Sequence, residues 1–252
     1  MLIVLTSAQG SPGVSTTALG LALSWDRPVL LIDADPTGSG ALEAGYLQGY
    51  DLGDHPGLVD LAVSYNNGTL AQDLPAAALP IPKTHVRALL GARSHVQAPT
   101  LQGLWEPLGA VLANLDATGQ DVIVDAGRLG LVGSPTPLLS AADLTVLITR
   151  STLPALIGAK GWADTLSQDF TEMGTPERLG LLVVGQGHPY TEALAGETVE
   201  LPPVASIAWD PVTAEVFSRG TKPGRGFNDS PLVKSLQTAM FAIKTRVERN
   251  SR

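Results

Sequence analysis

The residues best suited to chemistry are a run of small and hydroxyl side chains, Gly10-Ser11-Pro12-Gly13-Val14-Ser15-Thr16-Thr17, and the carboxylates Asp33, Asp35 and Asp125. A small-residue turn between a strand and a helix lets backbone N–H groups converge on an anion. The helix N-terminus adds partial positive charge. The motif built on this chemistry is G-x-x-x-x-G-K-[ST]. With Gly10 as its first glycine, Thr17 supplies the final hydroxyl, but Ser15 stands for the second glycine and Thr16 for the lysine. By the strict pattern the loop fails. Asp125 closes Asp121-Val122-Ile123-Val124-Asp125, the form of a Walker B strand whose carboxylate holds magnesium-bound water beside phosphates. Asp33 and Asp35 close Val29-Leu30-Leu31-Ile32 in the same manner. The plain alternative for all three is a turn at a strand end, where aspartates are common.

Strands and helices must bring these residues together. Leu2–Leu5, Val29–Ile32 and Asp121–Val124 are short apolar runs of the kind that parallel strands, buried on both faces, present. Such strands deliver their last residues to the carboxyl edge of a sheet, where open α/β folds bind ligands. Further strands are expected at 86–91, 142–150, 179–185 and 204–208. Helical spacing marks Ala18–Trp25 (with Val14), Leu58–Ala62, Leu70–Ala78, Leu101–Leu115, Leu153–Phe170 and Pro231 to about Arg249. The last carries Leu232, Leu236, Met240, Ile243 and Val247 on one face, the stripe of a helix packed on a sheet. Strands alternating with helices predict an α/β fold: a doubly wound, mostly parallel β-sheet with helices on both faces. No repeat, low-complexity segment or linker divides residues 1–252, so a single domain is expected.

Composition narrows the function classes. The chain has 252 residues, 44% of them hydrophobic, with net charge −8. Residues 219–252 hold eight Lys/Arg against Asp229 and Glu248, a balance of +6 that leaves −14 on the rest. The body is therefore no polyanion binder, and the cationic tail (Lys244, Arg246, Arg249, Arg252) is the segment with which DNA or an anionic membrane surface would make contact. With no cysteine, iron–sulfur clusters and thiolate zinc sites are excluded. His55, His85 and His95 have no metal-ligand spacing among themselves and read as loop or surface residues. No basic leader and no apolar run of membrane length is present, so a cytoplasmic protein is expected.

The loop at 10–17, Asp33-Ala34-Asp35-Pro36 and Asp121–Asp125 occur in one order and spacing that resembles the ParA/MinD family of deviant Walker A ATPases. That family's loop has the form K-G-G-V-G-K-T-T, followed by L-L-I-D-x-D-P and D-x-x-I-I-D. Gly13, Val14 and Thr17 match it in register. Gly57-Leu58-Val59-Asp60-Leu61 and Ile207-Ala208-Trp209-Asp210-Pro211 also resemble family segments, so the likeness spans nearly the whole chain. Within the family, the sequence is most similar to CpaE/TadZ-type and actinobacterial MinD-like proteins, whose loops are often degenerate.

The resemblance implies a P-loop NTPase fold and a nucleotide-switched homodimer that positions cargo in chromosome partitioning, cell division or the localisation of pilus and secretion machinery. Gly10, Ser11, Pro12, Gly13, Val14, Ser15, Thr16 and Thr17 would surround the phosphates of ATP or ADP. Thr17 and Asp125 would hold Mg²⁺, and Asp35 would sit near the attacking water as the catalytic residue. Both of the family's loop lysines are replaced, by Ser11 and Thr16, and no Lys or Arg precedes Arg27. Pro12 removes a backbone N–H, and Ser15 replaces a glycine at a position expected to need a positive φ. Ser15 and Thr16 read as helix caps. The Asn that the family often places near the base is Gly185.

The first expectation is thus a pseudo-ATPase: a scaffold or localisation factor with weak nucleotide binding and little or no hydrolysis. It would dock a partner such as a pilus or secretion ATPase and lie in the cytoplasm, at the membrane periphery or at the cell pole. The alternative is an active ATPase in which Arg128 or Arg150, at strand ends, supplies the charge. A dethiobiotin-synthetase-type enzyme is a third reading, against which the missing loop lysine counts.

Overall fold

The computed structural model describes residues 1–38, 40–50 and 52–250. Arg252, named above in the basic tail, lies outside the described residues. The strands are β1 Leu2–Ser7, β2 Val29–Asp33, β3 Leu79–Pro80, β4 Val86–Leu89, β5 Asp121–Arg128, β6 Leu144–Arg150, β7 Leu179–Val184 and β8 Pro203–Ile207. Between and after them run the helices α1 Val14–Ser24, α2 Leu58–Asn66, α3 Leu70–Ala77, α4 Trp105–Ala113, α5 Thr136–Ala141, α6 Leu153–Glu172, α7 Glu192–Val199, α8 Pro211–Arg219 and α9 Pro231–Asn250. A six-residue π-helical turn, Ala41–Tyr46, follows β2.

All eight strands form one sheet in the order β3-β4-β2-β5-β1-β6-β7-β8, parallel except where the two-residue β3 meets β4. The expected doubly wound sheet is therefore observed. From β1 the chain runs to β2 and β4 on one side and later to β6, β7 and β8 on the other, so the winding reverses beside β1. Ligands of open α/β sheets bind at such a reversal.

The alternation of side chains explains why β1 is apolar throughout. Leu2 and Val4 join the layer of α2 to α7, whereas Ile3 and Leu5 join the layer of α1, α8 and α9. The predicted stripe on α9 is buried at Leu232, Leu236, Met240, Ile243 and Val247.

Two predicted elements are reshaped. The helix expected over Leu101–Leu115 is a 3₁₀ segment, Ala98–Leu104, followed by α4. Pro107 has no N–H to donate back to Gly103, which breaks the α-helical ladder at that join. The strand expected at 86–91 stops at Leu89, because the Leu90 carbonyl accepts the Leu58 N–H at 2.9 Å instead. A Cβ on Gly57 would lie 2.7 Å from that same carbonyl oxygen, and Asp60 Oδ2 accepts the Gly57 N–H at 2.8 Å. Gly57 and Asp60 of the Gly-Leu-Val-Asp-Leu segment thus dock α2 on the end of β4.

Candidate functional site

The chain leaves β1 at Ser7 and turns through Gly10 (φ 74°), Ser11 (φ 45°) and Gly13 (φ 107°) before α1 begins. Gly13 is the N-cap of α1 and offers no side-chain cap; its carbonyl accepts the Thr17 N–H at 2.9 Å. The N–H groups of Val14, Ser15 and Thr16 meet no acceptor among the described residues. Open amides at the start of an eleven-residue helix are what an anion requires. Two expectations are corrected here. Ser15 and Thr16 are not caps but lie inside α1, and the left-handed backbone falls on Ser11 and Gly13 rather than on Ser15. Ser15 lies inside the helix beside Asp125, where its hydroxyl favours the charged carboxylate.

Asp33 and Asp125 stand level on the adjacent strands β2 and β5. Asp125 is 4% exposed and accepts the Gly127 N–H at 2.9 Å. Burial pushes its carboxyl up to about 6, the Ser15 hydroxyl and Gly127 N–H favour the charged form, and neighbouring Asp35 raises it further. Gly127 has φ 61°, and a Cβ there would lie 2.4 Å from the Asp35 carboxyl carbon. Asp35 accepts from the Thr37 N–H at 2.8 Å and hydroxyl at 2.7 Å. Ser11, Gly13, Ser15, Thr16, Asp35 and Arg128 share a cavity of about 290 Å³. The sequence-predicted loop and carboxylates are therefore brought together at one sheet edge.

The loop has a second side. There Ser11, Gly13, Thr16 and Thr17 face Arg150 and Trp209 across a cavity of about 300 Å³. Gly185 (φ 76°) borders Trp209: a Cβ there would touch the Trp209 Cβ at an ordinary van der Waals distance of 3.4 Å. Of these residues Trp209 had no role in the sequence reading. Its signal was only its place in the segment Ile207–Pro211.

The other sequence candidates are dispersed. His55 lines a separate polar cavity with Glu43, Asp54 and Asp60, and among the described residues no cluster of His, Asp and Glu could hold a metal ion. In the basic tail, Lys244 pairs with Asp26, Arg246 donates to the Glu177 carbonyl at 3.2 Å, and Lys234 reaches Asp229 at 3.3 Å. No helix among the described residues is long and apolar enough to cross a membrane.

The sheet order and the helix-capped loop after β1 define the doubly wound P-loop NTPase fold of the MinD/ParA type. Comparison with solved structures bears this out. The cell division ATPase MinD of Pyrococcus furiosus matches with a TM-score of 0.72 over 97% of this chain and 98% of its own, at 19% identity. MinD of Pyrococcus horikoshii OT3, complexed with Mg-ADP, matches with 0.73 over 99% of both chains at 16% identity. A ParA family ATPase from Chlorobium tepidum matches with 0.71 over 95% of this chain and 98% of its own, at 17% identity. No protein-family model matches the sequence, and no curated protein matches it significantly. These identities establish a shared fold.

Proposed function

We propose that the chain is a single-domain ParA/MinD-like protein whose loop has lost its cations, acting as a positioning or scaffold factor with weak nucleotide binding and little hydrolysis. The observation that carries this reading is the loop itself. Its left-handed turn, open amides and Asp125 partner persist, while Ser11 and Thr16 stand where the family's lysines would be. The residues present suit a phosphate cradle and a hydrated cation. Gly10 to Thr17 would enclose the phosphates, Thr17 and Asp125 would hold Mg²⁺, and Asp35 would face the attacking water. Bound magnesium would neutralise phosphate charge. Each lost charge-assisted hydrogen bond weakens binding by roughly 1.5–3 kcal/mol, and the missing charges act most on the transition state.

Function then rests on homodimerisation and on docking a protein partner, such as a pilus or secretion ATPase, at the cell pole or membrane periphery. With Lys244 and Arg246 engaged internally, DNA or lipid contact is left to the remaining tail charges. ATP·Mg²⁺ and ADP titrated by calorimetry, with phosphate release followed in parallel, test the reading. Affinity at least a hundredfold below that of an intact-loop ParA/MinD ATPase measured alongside, with negligible release, is expected; turnover comparable to that enzyme's overturns it. A second reading, an active ATPase charged by an arginine, is favoured by Arg128 and Arg150 flanking the loop, and rapid turnover is its signature.

A further inference from the structure

The loop carries no positive side chain, but the cavity behind it does. Arg150 ends β6, which runs parallel to β1 with Ile148 level with Ser7. Arg150 therefore stands two residues further on, where β1 gives way to the loop. Its guanidinium lies over the Trp209 ring, 4.4 Å from the centroid, a stacking suited to a planar delocalised cation. Its Nε is buried without a hydrogen-bond partner. No described residue accepts a hydrogen bond from its guanidinium or forms an ion pair with it. Buried charged donors without an acceptor are costly and therefore rare.

The two acids at the same cavity do not neutralise it. Asp210 accepts the Thr213 N–H at 3.1 Å as the cap of α8, and Glu215 pairs with Arg219 at 2.9 Å. Facing Arg150 are Thr16, Thr17 and a loop whose amides also lack acceptors. The space between thus offers unspent donors and one unpaired cation.

We propose that Arg150 is the cation of this site, taking over from the absent loop lysines for a phosphate-bearing ligand of nucleotide size, with Trp209 as the residue that positions it. The inference rests on the reading that the loop's cavity takes nucleotide, and names the residue on which the remaining affinity depends. Its placement has a chemical consequence. Arg150 lies on one side of the loop, and Asp35 lines the cavity on the other. Charge that retains phosphate is thereby separated from the carboxylate that would face water, which favours binding over turnover.

The test titrates ATP, ADP, pyrophosphate and adenosine into the wild type, R150A, R150K and W209A by calorimetry. Trp209 is 45% exposed and Trp25 and Trp105 are 2% and 1% exposed; with the fourth tryptophan, the half-buried Trp162, replaced as W162F in every protein of this arm, acrylamide quenching of tryptophan fluorescence reports on this cavity. The wild type is expected to bind ATP, ADP and pyrophosphate. R150A should lose at least tenfold for all three, R150K less, and W209A an intermediate amount, with ATP shielding tryptophan from acrylamide in the wild type but not in R150A. R150K, which keeps charge and bulk, guards against loss through misfolding. Unchanged pyrophosphate affinity in R150A overturns the proposal, as does loss confined to adenosine. A wild type blind to all phosphates overturns it too and leaves the scaffold reading standing. Rapid phosphate release with Arg150-dependent binding would overturn the scaffold reading alone.

Discussion

Asp125 is the residue whose setting departs furthest from solution. It is buried, and its carboxyl is held at about 6 against 3.8 when unfolded. Between these values the folded state binds the extra proton. The stability that the neutral carboxyl contributes is complete below pH 3.8 and is lost as pH rises through about 6. At pH 7.5 the shift corresponds to a deficit of about 3 kcal/mol. In metal-free buffer D125N should therefore be more stable than the wild type at pH 7.5 by up to about 3 kcal/mol, several degrees in Tm. The gain should vanish near pH 3.5. Thermal melts at the two pH values decide it, and an equal difference at both would refute the assignment. The sequence placed Asp125, Asp35 and the loop on one edge because strand ends and spacing are local signals. It did not reveal that Ser15 serves Asp125 instead of capping α1, since that depends on where the helix starts. Arg150 and Trp209 meet only through the pairing of β6, β7 and β8, a contact invisible to spacing.

At the scale of elements, the buried strands and α9 were legible because continuous apolar runs and an apolar stripe held over about four helical turns leave few alternatives. The short pieces were not. α5 and α7 are six and eight residues long, too brief for periodicity to register. α8, for which no helix was expected, did carry a signal in Asp210-Pro211: an N-cap carboxylate followed by proline at the first helical position. The join between α1 and α9 is close, for a Cβ on Gly20 would lie 2.6 Å from Leu236 Cδ1. Leu236 is fully buried. L236A should cost about 2–5 kcal/mol in urea unfolding, and G20A should also destabilise by forcing Leu236 aside, by about 1–3 kcal/mol. Unfolding midpoints at or above wild type for both variants would show that the two helices do not interlock as described.

Taken as a whole, the molecule sets its loop on the best-anchored strand it has. β1 is paired on both sides, by β5 and β6, and every residue from Leu2 to Ser7 is buried. A few positions on, the amides of Val14, Ser15 and Thr16 have no hydrogen bond to break. The contrast should be visible as deuterium uptake. Peptides covering residues 2–7 should exchange only on opening of the whole sheet, whereas residues 10–16 should label within the shortest exposure. Pyrophosphate or ATP should slow the second set and leave the first unchanged. Slow labelling of 10–16 in the free protein would mean that those amides are already spoken for. The abrupt step in exchange rate between neighbouring segments is what allows a rigid fold to keep an open, wettable mouth without loosening its centre.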